Sequence, residues 1–360
     1  MTYQTYHHNR NYGCRISEYI YKGYRCVTLE NQKLRVSIVA DKGADIIEFL
    51  YKPQDVDFLW RSWVGLRPAS NRVPTTPRAA GPHMDFYEGG WQELFPNCGG
   101  MSLHQGAEIG QHGEVILLPW DYRITRDEPE EIEVTFEVRT IRTPFRLTRR
   151  VALQGTDGIL HINECVTNES GQSVDFTWGH HPALGWPFLE EGCRIDLPEC
   201  RVEAPADFAP KNSRVCPDQI STWPHALARD GRLLDLSLIP GPDAESQEML
   251  FLRGITDGWY AVTNPRRKLG FGVRYPAHIF KVLWYWQILR GGLDYPWWGS
   301  TYNIALEPCG TMPVLSRSVA AGENLHLRSG ESLNVELLAV AYEGLESVTL
   351  ISDTGAVLGS

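Results

Sequence analysis

Cysteine is sparse and unpaired in this chain. The eight cysteines stand at 14, 26, 98, 165, 193, 200, 216 and 309, with no C-x-x-C spacing anywhere. That argues against a disulfide-dense scaffold and a structural zinc knot, and for free thiols in a reducing compartment. No run is long and apolar enough to span a bilayer, so no membrane partner is expected. The opening MTYQTYHHNRNYGCR lacks an apolar signal core, which makes the cytoplasm the expected location. Basic charge is also in deficit. Lys and Arg number 34 against 44 Asp and Glu, a net charge of −10, and a nucleic-acid partner would call for a basic face. Neither a dinucleotide glycine fingerprint nor a Walker loop follows a strand, and no H-E-x-x-H occurs. No cofactor and no metal are therefore expected. There is no internal repeat, and no composition shift marks a linker.

Apolar residues make up 42% of the 360, ample for a large core. Their spacing is that of strands. LRVSIVA at 34–40 alternates apolar and polar, and so do 132–140, 145–153 and 159–166. Further strands are predicted at 46–51, 259–263, 269–275, 279–288, 302–307, 332–342 and 345–351. Only Ala244 to Phe251 suggests a short helix. Residues 52–82 break the periodicity and read as a long loop of the functional kind. The expected fold is all-β, a large antiparallel β-sandwich. Residues 1–25 are expected to form an arm with an edge strand, 26–351 a single domain, and 352–360 a frayed tail. Unprotected strand edges leave monomer and homodimer both open.

The chemistry concentrates in DFTWGHHPALGWPF, residues 175–188. Pro182 removes one amide donor and disfavours the α region at His181. That holds the imidazole at a strand end, facing a cavity. Glu307, in ALEPCG, sits on an apolar strand that stops at Pro308, so its carboxylate is either paired or at work in a pocket. His112 in GQHGEV and Asp257 in TDGWYAV lie at similar junctions with glycine. Tryptophans cluster beside Gly and Pro at 178, 186, 284, 286, 297 and 298, as cleft walls often do. An imidazole with a pKa near neutrality and a carboxylate in a dry cleft suffice to open and reclose a cyclic hemiacetal without a cofactor.

This order of motifs resembles the aldose 1-epimerase (galactose mutarotase-like) family, in a divergent branch, over roughly residues 30–340. The residues carrying the likeness are LRVSIVADKGADIIEFLYK with DVDFLW, then GGWQELFPNCGG and QHGEV, then HHPALG, and a late strand of the form L-E-x. The resemblance implies a mutarotase-like supersandwich. It also implies a cofactor-independent isomerase with His181 as general acid and Glu307 as base, and His112 and Asp257 as contacts to a small-molecule carbohydrate. Arg67, His180, Gln92, Trp286 and Gln287 are further candidates for substrate binding. The chain departs from the family pattern at His180, where asparagine is common, at HGEV, where glycines are common, and at Gly258. Galactose or glucose specificity is not implied.

Three other functions fit the same residues. A sugar isomerase or 2-epimerase would use Glu307 to enolise C2. A hexose-phosphate epimerase would need a cationic cluster such as Arg266, Arg267 and Lys268. A non-catalytic carbohydrate-binding protein would need the aromatics alone.

Overall fold

Alternating burial along the chain builds two antiparallel sheets. Phe145–Gln154 and Ile159–Asn168 bury every second side chain over much of their length, as strands with one face on a core must. The structure, a computed structural model, describes residues 10–73 and 81–360. The larger sheet runs, in spatial order, Arg15–Tyr21, Tyr24–Glu30, Leu34–Val39, Asp45–Tyr51, Trp91–Leu94, Gly179–Gly185, Tyr302–Cys309, Val282–Leu289, Ser246–Arg253, Arg201–Ala204 and Gln219–Thr222. The second runs Arg194–Asp196, Trp259–Asn264, Leu269–Arg274, Ser332–Glu343, Ile159–Asn168, Phe145–Gln154, Glu131–Arg139 and Asp121–Asp127. Every pairing within these two sheets is antiparallel. No helix among the described residues is long and apolar enough to cross a membrane.

The sheets close on an apolar layer. Phe58 meets Phe188 edge-on at 4.7 Å and Phe271 at 5.4 Å, and Phe49 reaches Phe271 at 5.4 Å. Each such buried ring contributes about 1.5–3 kcal/mol by area. One charged island interrupts the layer. Arg149 lies 3.0 Å from Glu164 and 3.3 Å from Glu93, and His180 lies 3.1 Å from Glu164. All four side chains are buried. Burial, with Glu164 close by, raises the Glu93 carboxyl to about 8.

Two expectations change. The chain at 244–251 is not helical. A single turn, Pro242–Ala244, ends at Glu245 in left-handed backbone, and Ser246–Arg253 is a strand paired on both sides. Ladder bonds to two neighbours outweigh the short helical pattern there. The C-terminal tail does not fray along its whole length, because Val357–Gly359 pairs with Val348–Ile351. Of the N-terminal arm, residues 1–9 lie outside the described residues, and Arg15–Tyr21 is an edge strand of the larger sheet.

Arg149→Met would leave the buried acids Glu93 and Glu164 facing each other without their cation. Urea denaturation at neutral pH is expected to register a loss of about 3–5 kcal/mol. A loss under about 1 kcal/mol would mean that the arginine does not hold the sheets together.

Candidate active site

The strand Gly179–Gly185 carries two adjacent histidines, and the pleat sends them to opposite faces. His180 enters the charged island between the sheets. His181 faces outward from the larger sheet. Its register aligns the outer row: Gln92 lies opposite His181, and the flanking pairs Gly179↔Cys309 and Ala183↔Ala305 set His181 abreast of Glu307. Glu307 in turn lies opposite Trp284, and Ala305 opposite Trp286. Small Ala183 and Ala305 leave space beside the two polar side chains.

That space is a cavity of about 280 Å³ lined by His83, Tyr87, His112, His181, Trp286 and Glu307, among others. His181 Nε2 lies 3.4 Å from Glu307 Oε1, and His181 Nδ1 lies 3.3 Å from the Tyr87 hydroxyl. The other carboxylate oxygen, Oε2, has no hydrogen-bond partner among the described residues. The His112 ring stands 5.6 Å from that of His181 and 4.8 Å from that of His83. Its backbone is in left-handed conformation, φ 60°, which is uncommon for a residue with a side chain. The next residue must be glycine, since a Cβ on Gly113 would stand 2.1 Å from the Phe95 carbonyl oxygen. The Gly99 amide donates to His112 Nδ1 at 3.3 Å, and the His112 amide donates to the Gly99 carbonyl at 2.8 Å.

Burial dominates the electrostatics. It lowers His181 to about 4 and, with His181 nearby, lowers His112 to about 3. It lowers His83 as well, aided by His112, Lys42 and His181, and raises the Glu307 carboxyl well above its ordinary value. All four shifts favour the neutral form of the group. The His181–Glu307 pair is thus biased toward a neutral imidazole beside a protonated carboxyl.

The family described as a domain of unknown function (DUF4432) matches residues 21–339. The chain belongs to that family. The fold of this DUF4432 protein is that of the galactose mutarotase-like β-sandwiches. A candidate aldose 1-epimerase from Klebsiella pneumoniae superposes with a TM-score of 0.71 at 14% identity, over 91% of this chain and 87% of that one. A galactose mutarotase-like protein from Clostridium acetobutylicum gives 0.61 at 14%, over 92% and 99%. Another from Lactobacillus casei gives 0.57 at 18%, over 88% and 100%. No curated protein sequence matches the chain at a significant level.

Of the nine residues singled out in the sequence, the DUF4432 fold brings His112, His181, Trp286 and Glu307 to one cavity. The others lie elsewhere. His180 is corrected to a core residue by the pleat. Gln287 is corrected for the same reason. It shares the inner face with Tyr285, whose hydroxyl donates to Gln287 Oε1 at 2.6 Å, while Trp286 between them faces out. Asp257 is bound by Arg274 near the start of a strand in the second sheet, away from the cavity. Arg67 forms no pair with Glu307; it lines an adjoining depression and donates to the Asp85 carbonyl at 3.2 Å. Gln92 shares the outer face with His181 but is fully buried and donates to the Gly89 carbonyl.

Two cavity residues escaped the sequence reading as substrate contacts, namely His83 and Tyr87. Both sit in HMDFY, which has no strand or helix period to orient it. Among the described residues, Glu93, Glu164 and His180 alone bring three metal-type ligand atoms within 4.8 Å of one another. Arg149 already supplies a cation there. His112 suits a metal poorly. A metal-bound imidazole donates its other N–H to an acceptor, whereas His112 Nδ1 accepts from an amide.

The imidazoles of His112 and His181 are expected to stay neutral in NMR titrations from about pH 8 down to about pH 5. A midpoint near about 6.5 for either ring would contradict the burial described.

Proposed function

We propose that the protein is an aldose 1-epimerase-like isomerase that interconverts the anomers of an uncharged sugar. The observation supporting this is the 3.4 Å approach of His181 to Glu307 on the wall of a sugar-sized cavity. The pair shares one proton between two sites. With the proton on His181, Glu307 is a carboxylate. Glu307 takes the proton of the anomeric hydroxyl while His181 gives one to the ring oxygen as the C–O bond breaks. Rotation about the bond beside the carbonyl and reclosure yield the other anomer. In closure Glu307 returns its proton to the carbonyl oxygen and His181 recovers one from the sugar hydroxyl, so the pair ends as it began. Opening and closure are each other's reverse, so each turnover passes through both one-proton states. Tyr87 orients His181, and His112 and His83 are placed to bond sugar hydroxyls.

Among the described residues, the cavity lining contains no Lys or Arg. A phosphate or carboxylate substituent would need such partners, which favours a neutral sugar. Arg266, Arg267 and Lys268 lie on a turn between strands of the second sheet, with Arg266 on Glu190, and so give no support to a hexose phosphate.

NMR exchange spectroscopy on a panel of neutral sugars is expected to show catalysed anomeric exchange for at least one, without deuterium uptake at C2. Uptake at C2 would instead favour the enolising 2-epimerase. Glu307→Gln and His181→Asn should each slow exchange by about a hundredfold or more, the size of a lost general catalyst. A carbohydrate-binding protein would show no difference on either change. The pH profile follows from the one-proton pair. A second proton reaches His181 only near its lowered value of about 4, so the rate should hold through neutrality and fall on the acid side near there. An acid limb near about 6.5 would point to an exposed imidazole.

A further inference from the structure

The cavity is not closed on the side of its tryptophans. Phe208, Met249, Trp286 and Trp297 also wall a second and larger groove of about 660 Å³. A single sugar ring against His181 and Glu307 would leave this groove empty and its indoles half-exposed. The two indoles stand 5.4 Å apart at 52°, forming a bent apolar wall. Trp297 lies hard against Gly292, where a Cβ would come within 2.8 Å of the indole. The glycine lets the ring pack flat against the loop and keep its other side toward the groove. Around this wall are amides, Asn212 and Gln247, and one ion pair. Lys211 and Asp294 lie 3.7 Å apart, and both are strongly exposed. Apolar faces for the C–H side of a ring, with amides for its hydroxyls, suit a sugar. Among the described residues the groove offers one cation, Lys211, which lies in solvent beside Asp294, so an anionic substituent finds no buried partner there.

We propose that the preferred substrate is the reducing end of a neutral oligosaccharide. The reducing ring sits against His181 and Glu307, and the next sugar lies in the groove along Trp286 and Trp297. This inference rests on the anomeric chemistry proposed above and names its substrate class. The anomeric carbon must be free for that chemistry, so the chain extends from a hydroxyl on the far side of the ring.

The test compares glucose, galactose, mannose and xylose with the 4-linked disaccharides that carry each of them at the reducing end, and the three hexoses also with their 6-linked disaccharides. Anomeric exchange and calorimetric binding are measured side by side. At least one disaccharide is expected to exceed its parent monosaccharide by about tenfold or more in kcat/KM and in affinity. Leu293→Trp places a bulky ring in the groove at an exposed position that does not line the cavity. It is expected to remove that advantage and to leave monosaccharide exchange within about twofold. Equal values for monosaccharides and disaccharides, with Leu293→Trp affecting both alike, would overturn the inference and leave the anomeric chemistry standing. Tighter disaccharide binding, lost in Leu293→Trp, with no exchange for any sugar would support the groove and refute the chemistry. No difference in binding either would refute both.

Discussion

The site depends on one constraint: a carboxylate and an imidazole held face to face, away from water, by the register of adjacent antiparallel strands. Glu307 and His181 belong to strands that pair directly, and Ala183↔Ala305 and Gly179↔Cys309 lock that pairing on either side. A slip of one residue in either strand would turn its group to the wrong face. Burial then acts on the two in opposite directions, raising the acid and lowering the base, so each group leans toward its neutral form. A carboxyl and an imidazole side by side can each give or take a proton, which a reversible ring opening requires.

The same alternation gives each strand a second function. One step along from His181, His180 joins Glu93, Glu164 and Arg149 between the sheets. Polar groups on one face line the cavity, and those on the other tie the large sheet to the small one. The charged island thus stiffens the strands that carry Gln92 and His181 from behind. Around the mouth of the cavity, a short helix, Gly81–Met84, supplies His83, and loops supply Tyr87, His112 and Trp297. The common arrangement of binding groups on loops above a rigid sheet applies here.

Much of this was legible in the residues. Period-two patterning marked the sandwich and most strands. Pro182 after His181, and Pro308 after Glu307, marked two of the groups now seen together. The errors also trace to physical causes. Trp286 and Gln287 were both assigned to one ligand, although neighbours on a strand must face opposite ways. His180 stood beside His181 as a second candidate, because which face is the cavity depends on the second sheet. Asp257 rested on its place before a glycine and on the family likeness, and in this chain Arg274 takes it up. Tyr87 and His83 sit in an aperiodic stretch, where nothing local says which way a side chain points.

The central claim is that His181 and Glu307 work as one unit around a shared proton. A double-mutant cycle on anomeric exchange tests it most directly, with His181→Asn and Glu307→Gln made singly and together. A shared-proton unit fails once either half is gone, so the double variant should be no slower than the slower single variant, within about threefold. Losses that multiply, each about a hundredfold on top of the other, would show two groups acting independently and would contradict the claim.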